Sequence, residues 1–289
     1  MEEFMYFLQG RMETPTLFSW FHILSLVVVI GLCVLIYIFR KKISPKAVNI
    51  IILCTGIAII LLEVYKQLVF SFNYNGGNGN SYWDFEWYAF PFQFCSTPMY
   101  IMVIAGILRK GPVRDSLLCY LATYALFAGL VVMCYPGDVF ISMIGINIQT
   151  MVCHGGMFVI GFLILATRSI KFDYRSILKA TLIFVIMLII ALLMNIVWHY
   201  CSPLDDTFNM FYISPYFPCT LPVLSIIYAK AHYAIFLFCY VVDFMLAASL
   251  MFGIAVAFKI LEEKIQSKKF KKAIAQEESI VLETEEKDE

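Results

Sequence analysis

The stretch Leu17–Phe39, LFSWFHILSLVVVIGLCVLIYIF, runs straight into Arg40, Lys41 and Lys42, and its reading decides the fold. It carries no acid, no lysine and no arginine, and it meets the roughly 20 apolar residues that a helix needs to cross a bilayer. Six further stretches read the same way: Ala47–Phe70, Phe90–Leu108, Ser116–Met133, Gln149–Thr167, Ile177–His199 and Ile226–Phe258. Across the 289 residues only 15% are charged and mean hydropathy is +0.81. A soluble domain carries about 25% charged residues. The expected fold class is therefore all-α: a polytopic membrane protein of seven transmembrane helices. Residues 1–262 form the membrane domain and 263–289 a charged cytoplasmic tail with a disordered end. No cleavable signal is expected, because the first apolar run is too long and no small-residue cleavage site follows it. Net charge is zero, so nucleic acid is not an expected partner.

Orientation follows from the loop charges. Lys and Arg cluster after the first, third, fifth and seventh stretches, at Arg40–Lys46, Arg109–Arg114, Arg168–Lys179 and Lys259–Lys272. The alternate loops Ser71–Ala89, Cys134–Ile148 and Cys201–Ser225 contain neither. By the positive-inside rule the N-terminus is expected outside and the C-terminus in the cytoplasm. The outer loops hold a Gly/Asn segment at Asn73–Asn80, a Pro136–Gly137–Asp138 turn and a proline-rich stretch with Pro203, Pro215, Pro218 and Pro222. Nine cysteines are scattered without a CxxC pair. Cys201 and Cys219 share one outer loop, where both a bridge and two free thiols are open readings.

This orientation gives each buried polar residue a depth. The third stretch opens AFPFQFCSTPMY, Ala89–Tyr100, with Pro91 suited to a first helical turn. Gln93 and Cys95 then fall in its first two turns, Cys95 roughly 7 Å in at 1.5 Å per residue. Glu63 and Lys66, three apart on one helix face, sit toward the outer end of the second stretch and are set to pair. His154, Asn195, His199, Lys230 and His232 fall in the outer half as well, and His22 opens the first stretch. Ionisable groups inside a bilayer are costly and suggest function. Taken singly, each has a plainer reading: Cys95 as an inert core thiol, His154 as an interhelical hydrogen-bonding group, Glu63–Lys66 as a structural ion pair. Their shared depth favours one cavity open to the outer leaflet.

A thiol becomes an effective nucleophile when a neighbouring imidazole takes its proton. Cys95 and His154 are the candidates for that pair. Glu63, Gln93 and Asn195 are candidates to orient the imidazole, and Lys66, Gln93 or backbone N–H groups to stabilise an oxyanion. His232 is a further polar candidate at the same level. The chemistry implied is acyl transfer from a lipid ester to Cys95 and on to a hydroxyl, or to water. A transporter or lipid-binding protein with a polar cavity open to the outside is the alternative. No His-x-x-x-His pair lies on one helix, so no metal is expected, and no cofactor.

FPFQFC at Phe90–Cys95, the Glu63/Lys66 pair, Cys153–His154–Gly155, Asn195 with Trp198, and Asn209–Tyr212 together resemble the YwaF-like bacterial membrane proteins and their animal counterparts of the transmembrane protein 164 family. That resemblance implies phospholipid acyl transfer through a cysteine thioester with a partner histidine, roles that fall on Cys95 and His154. It implies phospholipids and lysolipids as partners, and a bacterial plasma membrane as location. Gln93 stands where many members have His, so the resemblance assigns that position no role.

Overall fold

The computed structural model describes residues 2–75, 80–137, 139–202 and 206–288, with side chains described in residues 2–74, 80–137, 139–202 and 206–270. Residues 76–79 of the Gly/Asn segment, Asp138 and Pro203 lie outside that set. The chain is 73% helix and 3% strand. It divides into two compact units, Met1–Ser249 and Leu250–Glu289. In the first, a short α1 (Glu2–Leu8) precedes α2 (Trp20–Phe39) and α3 (Pro45–Ser71). The hairpin β1 (Phe72–Asn75) and β2 (Asn80–Trp83) follows, with Phe72 opposite Trp83. Then come α4 (Thr97–Ile107), α5 (Pro112–Tyr120), α6 (Leu126–Cys134), α7 (Ile144–Ala166), α8 (Tyr174–Cys201), α9 (Leu224–Lys230) and the start of α10 (Tyr233–Asp288).

Among the described residues six helices are long and apolar enough to cross a membrane: Trp20–Phe39, Pro45–Ser71, Pro112–Cys134, Ile144–Ala166, Tyr174–Cys201 and Tyr233–Phe270. Pro112–Cys134 is continuous because a π-helical turn, Leu121–Ala125, joins α5 to α6. Their starts are chemically marked. Ser44 Oγ accepts the Ala47 N–H at 3.1 Å with Pro45 in the first turn, and Asp173 accepts the Ser176 N–H at 3.2 Å.

Two sequence expectations change. The stretch Phe90–Leu108 is helical only over Thr97–Ile107, about 16 Å of rise against a hydrocarbon core of about 30 Å. Phe90 is extended (φ −49°, ψ 136°), the conformation that a following proline imposes. The stretch from Ile226 breaks at Ala231–His232, between α9 and α10. Cys201 and Cys219 are both free thiols. In the second unit α10 continues through Asp288. Early in this unit Lys259 pairs with Glu263 and Gln266 donates to Glu262, i,i+4 contacts that favour helix.

Glycines set the closest approaches between helices. A Cβ on Gly106 of α4 would stand 2.7 Å from the Leu53 Cβ of α3. One on Gly129 of α6 would stand 2.5 Å from the His154 carbonyl oxygen of α7. The α6–α7 seam thus runs directly behind His154. At the opposite end of the bundle Arg114 is buried, donating to the Ala105 carbonyl at 3.1 Å and to the Asn49 side chain. One member of the basic loop expected after the third stretch is therefore a tie between α3, α4 and α5.

Candidate functional site

Residues Phe90–Ser96 form the unwound approach to α4. Phe90, Phe92 and Phe94 alternate, a spacing of extended chain rather than helix. The segment closes in a turn, with the Ser96 and Thr97 N–H groups both donating to the Gln93 carbonyl at 2.9 and 3.0 Å. Cys95 lies within this turn, half-buried. Its carbonyl oxygen is 3.7 Å from the Cys153 sulfur on α7.

Glu63 on α3 is 3% exposed and pairs with the Lys66 ammonium. Its other oxygen accepts from Gln149 Nε2 of α7 at 3.0 Å. Gln149 and Cys153 are four apart, so one face of α7 carries both the amide that holds Glu63 and the thiol that meets Cys95. Glu63, Lys66, Gln149, Cys153 and the Cys95 turn are thereby gathered where α3, α4 and α7 meet.

His154 is one residue on, about 100° around α7 from Cys153. It is buried, and its Nδ1 lies 2.8 Å from the Thr150 carbonyl oxygen. A carbonyl only accepts, so Nδ1 carries the hydrogen, and in the neutral ring Nε2 holds the lone pair. That is the tautomer a general base requires. His22 has the opposite arrangement: its Nδ1 accepts from the Phe18 N–H at 3.0 Å and its Nε2–H donates to the Met133 carbonyl at 2.8 Å. Both ring nitrogens of His22 serve packing, and it is fully buried.

The family profile of the TMEM164 family matches residues 17–252, most of the sequence. The chain belongs to the TMEM164 family. No curated protein and no solved structure shows a significant match. The matched region makes this member of the TMEM164 family an integral membrane protein, in keeping with its six long apolar helices.

In this TMEM164-family chain the two amides named from sequence hold a loop. Gln93 Nε2 donates to the Asn209 carbonyl at 3.0 Å, and Gln93 Oε1 accepts the Phe211 N–H at 2.9 Å. Asn195 grips the next residue in both directions: Nδ2 donates to the Met210 carbonyl at 3.0 Å and Oδ1 accepts the Met210 N–H at 2.8 Å. Phe211 is left-handed (φ 57°), and Tyr240 Oη donates to its carbonyl at 2.8 Å. His232 is exposed and caps α10, with Nδ1 accepting the Ala234 N–H at 3.3 Å. These three side chains position backbone, and Cys95 inherits its place from the first of them.

The sequence reading gives Gln149 no role and Cys153 only a place in the Cys153–His154–Gly155 motif. The available signal was an amide four residues before a thiol in an apolar run, which places both on one face. Gly155 and Gly156 line a 650 Å³ cavity between α2, α3 and α7 with Val29, Ile59 and Val159.

Proposed function

We propose that this chain is a membrane phospholipid acyltransferase or transacylase, with Cys95 as nucleophile and His154 as general base. The observation that carries the reading is an unwound, anchored turn bearing a thiol, beside a helix whose imidazole has its Nδ1–H committed and Nε2 unprotonated. In the first step the Cys95 sulfur attacks an ester carbonyl while His154 Nε2 takes the thiol proton. The C–O bond breaks, the acyl group becomes a thioester, and the proton goes to the leaving lipid hydroxyl. In the second step an acceptor hydroxyl attacks the thioester, its proton passes to His154, and the thiol is restored. Water in place of the acceptor makes the same site a lipase. Lys66, beside Glu63, supplies positive charge near the developing oxyanion. The reading requires the Cys95 thiol and the His154 imidazole to meet when substrate is bound.

The membrane arrangement we propose has seven crossings, the third made of the Phe90–Ser96 segment plus α4. The N-terminus is outside, on the strength of the Lys/Arg asymmetry of the loops. A bacterial plasma membrane is the setting, proposed from resemblance alone.

A thiol-directed acyl probe tests the chemistry. Labelling should disappear in Cys95→Ser, persist in Cys153→Ser, and slow about 10²–10⁴-fold in His154→Ala. Undiminished labelling of Cys95→Ser would overturn the proposal. The apolar 650 Å³ cavity favours a second reading, a lipid-binding protein without chemistry, in which all three variants keep wild-type lipid occupancy and none shows a thioester.

A further inference from the structure

Above Glu63 on the same face of α3 stand Gln67 and Ser71, spaced four and eight residues on. All three line a cavity of 280 Å³ between the outer half of α3, β2 and the start of the Cys95 segment, with Trp83, Pro91 and Tyr100 opposite. Glu63 is engaged by Lys66 and Gln149. Gln67 donates its amide to the Ala89 carbonyl at 2.5 Å. The Gln67 Oε1 and the Ser71 Oγ are buried and, among the described residues, have no hydrogen-bond partner. Ser71 is 6% exposed. A buried polar atom without a partner is destabilising, so two of them four residues apart beside one cavity ask for a ligand. The space is far larger than the roughly 30 Å³ one water occupies in the liquid.

The chemistry of that ligand follows from what is free. Gln67 offers an acceptor only, since its amide is committed, and Ser71 offers an acceptor and a single donor. Lys66 is paired, so no unengaged cation faces the cavity for a phosphate. The Glu63 charge is neutralised, so no net anion draws an ammonium group. What fits is an uncharged group that donates hydrogen bonds: an alcohol. Val64 and Leu68, which also line the cavity, are 52% and 44% exposed, so its side wall is an apolar face of α3 open to hydrocarbon.

We propose that this cavity binds the free glycerol hydroxyl of an uncharged lipid, a monoacylglycerol, with Gln67 Oε1 and Ser71 Oγ recognising the hydroxyl and the acyl chain lying along Val64 and Leu68. It rests on the acyltransfer reading, for which the bound lipid is the acceptor: Pro91, four residues before Cys95 in the same segment, forms one wall of the cavity. Gln67 and Ser71 are positioning residues that select the acceptor.

The test uses the full chain in nanodiscs and a photoreactive monoacylglycerol, with crosslinked peptides mapped. Two control probes carry the same chain: a fatty acid methyl ester without a hydroxyl, and lysophosphatidic acid with a phosphate. Monoacylglycerol should crosslink to α3 or the β1–β2 hairpin at least tenfold more than either control. Ser71→Ala, which removes no bond within the protein, should lower that yield severalfold, and Gln67→Leu at least as much. Equal crosslinking by the methyl ester, or an unchanged yield in both variants, overturns the proposal. Preferential crosslinking by lysophosphatidic acid also overturns it, by showing that phosphate is recognised. Cys95→Ser should bind the probe like wild type. Selective binding there without any thioester in the wild type would sink the acyltransfer reading and leave the hydroxyl site standing.

Discussion

The sulfur of Cys153 lies 3.7 Å from the carbonyl oxygen of Cys95, so the residue just before His154 is the one that touches the Cys95 turn. Cys153 is fixed by its helix, whereas Cys95 sits in a turn with its own backbone N–H groups nearby. The two thiols therefore have separable fates. Cys153→Ala should leave acyl labelling within about twofold of wild type and lower the thermal midpoint modestly. The matched pair of measurements, probe labelling and unfolding in detergent, checks it.

Gly129 faces the His154 carbonyl so closely that an added methyl has no room. Gly129→Ala should cost about 1–3 kcal/mol of stability, the usual range for an overpacked core. Its effect on labelling should exceed what the stability loss explains, because the backbone it displaces is that of the proposed base. Comparing it with Gly106→Ala, which crowds Leu53 on the far seam, separates the two contributions.

His22 is fully buried with both ring nitrogens bonded. His22→Leu keeps the bulk and orphans the Phe18 N–H and the Met133 carbonyl, about 1–3 kcal/mol for each group left without a partner. The expected outcome is a lower unfolding temperature with unchanged probe labelling at temperatures where the protein is folded.

Asn195 makes two reciprocal bonds to Met210, both buried. Asn195→Leu should destabilise by a similar amount per lost bond and raise hydrogen exchange at Met210 and Phe211 first. Loss of labelling with no change in exchange there would show that Asn195 acts on the chemistry directly.

Outside the membrane segments, burial and then the neighbouring Asp84 and Asp206 carboxylates push the Glu86 carboxyl above its usual range. A carboxyl whose folded pKa is raised holds its proton more tightly when folded, so the loop loses stability as pH rises from the unfolded value through the raised one. The outer loop should be better protected from hydrogen exchange at mildly acidic pH than at neutral pH. Glu86→Gln should flatten that dependence.

Much of the fold is legible in the sequence because length and hydropathy act on whole helices. Leu17–Phe39 and Ile177–His199 each fall within about three residues of the observed helices α2 and α8. The misreading at Phe90–Ser96 has a local cause. Its hydropathy matches a span, but Pro91 forces Phe90 into an extended conformation and the aromatics repeat at two, so hydropathy and periodicity disagree. The break at Ala231 has no such marker, since Ala, His and Tyr tolerate helix, and it arises from His232 capping the helix that follows. At the site, pairing was legible and direction was not. Glu63 and Lys66 lie together as their spacing demands, yet whether position 153 or 154 of α7 faces Cys95 depends on how that helix is rotated, which one sequence does not state. Gln93 and Asn195 are amides in apolar runs, and a sequence does not distinguish an amide that meets substrate from one that holds a loop more than a dozen residues away.

The two-ended grip of Gln93 on Asn209 and Phe211 couples stretches of chain separated by more than a hundred positions. Displacement of Asn209–Phe211 is therefore felt at the thiol-bearing turn, through the Gln93 amide and through the ring contacts of Phe92 and Phe94 with Phe211. On the acyl-transfer reading proposed above, any molecule that displaces that loop also resets the geometry of Cys95.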